Sequence, residues 1–245
     1  MIKNKIRKGI RSMWKQRLQI FVFLDLMVLV TVVGIRMHVL EKAEQERTVI
    51  ETSQTILASD MKPKIALTFD DGPHPVFTPE LLDGLKERNV QATFFVIGKN
   101  VEGNEEIIKR MSDDGHLIGN HTFDHVEITK LSREEASDEI ERTSELVEEI
   151  TGSPTEYVRP PFGLWKDDLE CGIQMIPVMW TVDPLDWTTG NATNVVNKVV
   201  TKVKENDIIL LHDYYESSVQ AALRIVDILQ KEGYEFVTVD ELILE

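Results

Sequence analysis

Only one cysteine, Cys171, occurs in the 245 residues. An intramolecular disulfide is impossible, and no cysteine cluster can hold zinc. The lone thiol reads as a buried, inert side chain and not as a nucleophile. Positive charge is also scarce beyond the N-terminus. Residues 63–245 carry 16 Lys or Arg against 36 Asp or Glu, a formal balance of −20. Such a surface repels phosphates where a nucleic-acid binder would release counterions from them, so nucleic acid is excluded as a partner. A neutral or cationic ligand fits the charge. No short repeat or low-complexity tract appears. The 42% hydrophobic content is that of a folded chain, and the length allows one large domain plus a tail.

The first 17 residues reverse the charge, with Lys3, Lys5, Arg7, Lys8, Arg11, Lys15 and Arg17 and no acid. An apolar run of 18 follows, Leu18–Ile35, in which 13 residues are Leu, Ile, Val or Phe. At about 0.3–0.6 kcal/mol each they favour membrane insertion by roughly 4–8 kcal/mol. Asp25 opposes with about 2.5–3.5 kcal/mol, so insertion wins by a small margin. The run is long for a signal peptide, and no small-x-small cleavage site follows it. The expectation is an uncleaved transmembrane anchor over 18–35, with residues 1–17 as a cytoplasmic basic tail. Residues 36–62 are polar and helix-friendly and read as an extracytoplasmic stalk. The folded domain is expected over 63–245, outside the cell membrane.

From Lys64 onward, short apolar strands alternate with amphipathic helices. The strand candidates are Ile65–Phe69, Thr93–Ile97, Leu117–Asn120, Tyr157–Arg159, Met175–Thr181, Ile208–His212 and Glu235–Val239. One helix is predicted to begin at Thr78-Pro79-Glu80, with Thr78 as cap, and another at Ser132 with a capping box. Further helices are predicted over about 104–114, 193–205 and 217–232. The alternation predicts an α/β fold with a mainly parallel sheet, either open or closed into a barrel. Such folds place chemistry at the C-terminal ends of strands. The residues found there are Asp70 and Asp71, His121 and His125, Arg159, Asp183, and His212.

His121 and His125 are four residues apart, a spacing that lets two imidazoles grip one metal. Alone this is a weak signal. The adjacent carboxylates Asp70 and Asp71 add to it, because paired acids behind a buried strand are costly without partners. One can ligate a metal while the other acts as a base. Two His and one carboxylate leave positions for water and substrate, as catalysis requires. A metal of this kind lowers the pKa of bound water from 15.7 to about 7. His212 is suited to protonate a leaving amine, and a nearby carboxylate would keep it charged. These are the parts of an amide hydrolase.

Five segments carry a more specific signal. Thr68-Phe69-Asp70-Asp71-Gly72-Pro73 resembles the opening motif of the polysaccharide deacetylases, carbohydrate esterase family 4 (the NodB-homology domain). His121-Thr122-Phe123-Asp124-His125 resembles the second motif and Arg159-Pro160-Pro161-Phe162-Gly163 the third. Asp183-Pro184-Leu185-Asp186-Trp187 resembles the fourth, and Leu210-Leu211-His212 the fifth. The resemblance implies a distorted, incomplete (β/α) barrel of about seven strands. It implies that Asp70 is the general base and that Asp71, His121 and His125 hold a divalent metal. Zinc is the default, with Co2+, Mn2+ or Fe2+ as alternatives. Arg159 would orient Asp70, and His212 would be the general acid, tuned by an aspartate of the fourth motif. Of its two aspartates, Asp183 is preferred over Asp186. Trp187 and Leu210 would line the pocket for the acetyl methyl. The backbone N–H after Pro161, that of Phe162, would complete the oxyanion hole. The family often carries Tyr at this position.

By the same resemblance the substrate is an N-acetylated amino-sugar polymer. N-acetylglucosamine of peptidoglycan leads, because an anchored, outward-facing domain meets the cell wall first. Chitin fragments or an exopolysaccharide are the nearest rivals, and acetyl-ester removal from xylan is a weaker one. A sugar-binding protein with a dead site is disfavoured by the intact ligands, base and acid. A non-haem iron oxygenase shares two His and one carboxylate. It has no use for Arg159, His212 or a second aspartate. His74 and His116 read as structural, and Asp124 as a turn residue.

Overall fold

A computed structural model describes residues 62–165, residues 175–244 and a subset of positions between 21 and 47. The chain divides into two units, residues 1–61 and residues 62–245. In the first, every described position is helical, including 33–45 without interruption. Among the described residues no helix is long and apolar enough to cross a membrane. The basic tail, much of the Leu18–Ile35 run and most of the stalk's C-terminal half lie outside the described residues, as does Cys171.

The second unit is built on one parallel sheet. Its strands are β1 (Lys64–Asp70), β2 (Thr93–Val96), β3 (Leu117–Asn120), β4 (Tyr157–Val158), β5 (Ile176–Pro177), β6 (Ile208–His212) and β7 (Glu235–Val237). The order is β5-β4-β3-β2-β1-β6, with β7 paired to the N-terminal half of β1. Strand β1 is buried on both faces from Ile65 on, as its near-continuous apolar run requires. Its register sets Asp70 beside His212 of β6 and beside Phe95 of β2.

The helices are α1 (Phe77–Glu87), α2 (Gly98–Val101), α3 (Glu105–Asp113), α4 (Arg133–Thr151), α5 (Ala192–Val200), α6 (Glu216–Lys231) and α7 (Val239–Ile243). One core joins the sheet to α1, α5 and α6 through Leu67, Phe69, Leu81, Leu85, Val196 and Ile225. Full burial of side chains of this size stabilises by about 1.5–3 kcal/mol each. Helix α4 opens with the predicted capping box: Ser132 Oγ accepts from Glu135 N–H, and Glu135 Oε2 accepts from Ser132 N–H. It ends on Gly152 at φ 80°, in the left-handed region where glycine costs least.

Two expectations need correction. Helix α1 begins at Phe77 with no side-chain cap, because the Thr78 hydroxyl is turned toward Asp213 instead. The predicted strand Met175–Thr181 forms a ladder only at Ile176–Pro177. Its next two carbonyls, those of Val178 and Met179, accept from the Arg159 guanidinium at 3.1 and 3.3 Å. Beyond them the chain crosses to the opposite edge of the sheet, where Val182 bridges to Ile209 of β6. The curled sheet is thus an incomplete barrel whose two edges are joined by the single segment 176–182.

Candidate active site

The C-terminal ends of β1, β3, β4 and β6 converge on a cleft of about 430 Å³. Asp70, Asp71, His121, His125 and His212 all face it. The acceptor geometry centres on Asp71. Its Oδ1 lies 3.5 Å from His121 Nε2 and 3.4 Å from His125 Nε2. Candidate ligand atoms of the three residues all lie within 4.8 Å of one another. Asp71 Oδ1 is buried and has no hydrogen-bond partner. A buried acceptor left alone beside two imidazoles is the signature of a cation site. His121 Nδ1 donates to the Arg159 carbonyl at 2.6 Å, which leaves its Nε2 lone pair directed at Asp71. Burial, with the charge of His121, lowers the pKa of His125. Burial opposes the charge of Asp71, yet His121, His212 and His125 together hold its carboxyl below the usual range. This donor set, two imidazole nitrogens and one carboxylate oxygen within reach of one point, therefore fits a divalent metal.

The backbone is shaped to make the cluster. Asp71, Thr122 and His125 sit at φ 74°, 64° and 56°, in the left-handed region that non-glycine residues rarely adopt. Strain of this kind persists only where neighbours impose it. Asn120 Oδ1 accepts from Thr122 N–H, and Glu139 Oε2 of α4 accepts from the N–H groups of Phe123 and Asp124. The loop between the two histidines is thereby held from both sides.

Asp70 is 3% exposed and Arg159 0%. Arg159 Nη1 donates to Asp70 Oδ1 at 2.8 Å and to Thr68 Oγ1 at 2.7 Å. The guanidinium also lies over the Phe95 ring at 4.2 Å. A buried arginine with this many partners fixes the direction of the Asp70 carboxylate. Asp70 Oδ2 remains on the metal side, 3.8 Å from His121 Nε2.

The partner of His212 corrects an expectation. Asp186, not Asp183, carries the interaction: its Oδ1 accepts from His212 Nδ1 at 2.8 Å and its Oδ2 from His212 N–H at 2.8 Å. A left-handed residue at Leu185 (φ 57°) starts the short helical turn Asp186–Thr188 and swings Asp186 under β6. Asp183 is spent on its own turn, accepting from Leu185 N–H at 2.7 Å, although it reaches the cleft wall. Burial alone would depress the His212 imidazole, but the Asp186 carboxylate lifts its pKa to about 9.

Phe162, Trp187 and Leu210 line the cleft, whereas at the arginine motif Pro160 lines it and Pro161 is buried. Phe162 stands at φ 63° with its ring edge-on to His125 at 5.0 Å. Trp180, Leu185 and Tyr215 also line the cleft. Sequence reasoning missed these three, and only their place beside the motif residues could have flagged them. His116 is structural: its Nδ1 accepts from Ala92 N–H, and burial lowers its pKa to about 4.

Residues 58–176 match the family described as polysaccharide deacetylase. Over 178 residues the chain is 41% identical to the peptidoglycan-N-acetylmuramic acid deacetylase PdaC of Bacillus subtilis, a match covering 73% of this chain and 38% of that protein. A peptidoglycan-N-acetylglucosamine deacetylase of Bacillus cereus is 39% identical over 187 residues, covering 73% of this chain and 87% of the relative. The solved structure of peptidoglycan deacetylase PdaC from Bacillus subtilis matches with a TM-score of 0.72 at 40% identity, covering 74% of this chain and 90% of that one. The chain thus matches little more than a third of the full-length PdaC, 38%, but nearly the whole of the shorter relative. Identity of this order, carried through almost all of one relative and laid over the same fold, makes the chain a member of the polysaccharide deacetylase family.

Proposed function

We propose that this protein removes N-acetyl groups from amino-sugar units of a cell-wall polysaccharide, foremost N-acetylglucosamine of peptidoglycan, releasing acetate. The observation that carries the reading is the pairing of Asp70 with His212 across β1 and β6, directly beside the Asp71–His121–His125 cluster. Asp70, the Asp71–His121–His125 cluster and His212 stand at one end of one sheet.

A divalent metal held by Asp71, His121 and His125 would supply Lewis acidity, lowering the pKa of a coordinated water toward 7. Zinc is the proposed metal. Asp70 Oδ2, the oxygen that Arg159 does not hold, takes the proton from the attacking water. The acetyl carbonyl oxygen gains negative charge, and the Phe162 backbone N–H donates to it. Trp187 and Leu210 enclose the methyl group. His212 Nε2, its ring fixed by Asp186 at Nδ1, protonates the amine nitrogen as the C–N bond breaks. The products are acetate and a free amino sugar.

The two relatives named above act on different sugars of the same polymer, so the sugar is the point to test. Purified protein should release acetate from intact peptidoglycan, lose that activity to a chelator and regain it with Zn2+. Composition analysis of the digested polymer should show glucosamine replacing N-acetylglucosamine. Loss of acetyl from the muramic acid alone would move the substrate to the other sugar, and no acetate from any amino-sugar polymer would end the reading. We further propose that Leu18–Ile35 anchors the protein in the cell membrane with the domain outside, on the strength of its apolar run and basic flank. Recovery of the full chain in the soluble fraction would refute the anchor.

A further inference from the structure

We propose that Asp213, which has no part in the chemistry above, is a positioning residue that pins the loop carrying Asp71 to the strand end carrying His212. Asp213 directly follows His212 and is 0% exposed. Its Oδ2 accepts from the Thr78 hydroxyl, and Thr78 Oγ1 in turn accepts from His74 N–H at 2.8 Å. His74 lies three residues beyond Asp71. The relay His74–Thr78–Asp213 therefore spans from the loop after β1 to the loop after β6. These two loops carry the metal-ligand carboxylate and the acid histidine.

A second contact acts on the same loop. A Cβ built on Gly72 would fall 2.4, 2.5 and 2.8 Å from Asp213 Oδ2, Oδ1 and Cγ. Gly72 is not among the residues with positive φ, so backbone conformation does not demand glycine there. The Asp213 carboxyl does. The loop is pressed onto that carboxyl one residue after Asp71 and hydrogen-bonded to it through Thr78. Its other attachments, Ile97 N–H to the Gly72 carbonyl and Asn100 Nδ2 to the Asp71 carbonyl, approach from β2 and α2. Asp213 supplies the hold from the β6 side. Asp213 Oδ1 is buried without a partner, and burial pushes the carboxyl pKa up to about 7. Burying such a group is costly, and an apolar side chain would fill the space at lower cost. What an apolar side chain cannot do is accept from Thr78.

The test uses full-length D213A, D213N, T78V, G72A and the double variant G72A/D213A. Metal Kd is read by competition with a chromophoric chelator, alongside kcat, KM and Tm. For D213A, metal Kd should rise about tenfold. Its kcat should fall roughly 10- to 100-fold while KM stays within about twofold. D213N keeps an oxygen acceptor for Thr78 and should stay within about threefold of the parent in both respects. G72A should lower Tm in the parent and lower it much less in D213A, where the colliding carboxyl is gone. Wild-type metal Kd and kcat in D213A would overturn the proposal. So would D213N failing as badly as D213A, or G72A being equally damaging in both backgrounds. If D213A does not fold, T78V removes the bridging hydroxyl at similar shape and must itself raise metal Kd; an unchanged Kd there overturns the proposal. The turnover arm rests on the deacetylase reading. The metal and Tm arms do not, so failure of one is distinguishable from failure of the other.

Discussion

Asp70 and Asp71 are neighbours in the chain with opposite surroundings, and their predicted roles follow from that difference. Asp70 has one oxygen clamped by a buried guanidinium, while Asp71 presents a bare oxygen to two imidazoles. D70N should keep its metal and lose roughly 10²–10⁴ in kcat, measured as acetate release with metal content checked by elemental analysis. H125A should lose the metal and the activity together. In the proposed mechanism the His212–Asp186 pair sets the alkaline limit. The acid form exists below its pKa of about 9, so activity should fall as pH rises through that value. D186N removes the carboxylate that holds the proton, and the alkaline limb of the pH–rate profile should move down toward 6.5, the ordinary histidine value. An unmoved limb would show that another group controls it. The two aspartates of this motif also mark where reading by sequence stopped. Both open a turn near the same strand, and the left-handed Leu185 between them sets which one reaches His212. Backbone handedness at a leucine leaves no trace in residue type.

Elements with strong local signals were legible beforehand, and those governed by distant contacts were not. Helix α4 was readable because Ser132 and Glu135 cap it from within and Gly152 stops it. Its function was not readable, because it lies in a contact from Glu139 to the backbone of a loop 15 residues earlier. E139A should therefore weaken metal affinity by about tenfold through the histidine loop. S132A, about two turns earlier on the same helix, should lower stability by about 1 kcal/mol and leave metal affinity unchanged. Calorimetric melting and metal titration of the two variants separate these effects. The predicted strand Met175–Thr181 is cut short at Ile176–Pro177 for the same reason. Its sequence favours extension, but the carbonyls of Val178 and Met179 are claimed by a side chain from β4's end. The cleft's motif residues were visible because their chemistry is conspicuous. Asp213 was not, because an isolated aspartate reads the same buried or exposed.

Across the whole molecule, the catalytic unit carries a formal balance of −20 while its proposed reaction turns a neutral amide into a cationic amine. Product should therefore bind better than substrate at low ionic strength. Partly deacetylated oligomers should show a lower Kd than fully acetylated ones at about 10 mM salt. The two values should converge near 1 M, where screening is effective within about 3 Å. Equal affinities at low salt would mean that the acid is a solvated surface and nothing more. The sheet's seam adds a different constraint. One guanidinium holds Asp70, the proposed base, at one end and, at the other, the two carbonyls where the strand path leaves one edge for the opposite edge. Aiming the catalyst and closing the wall are a single mechanical act. Motion that unzips the wall at Val178 would loosen the guanidinium that holds Asp70. An opening of the wall at that seam should therefore also interrupt turnover.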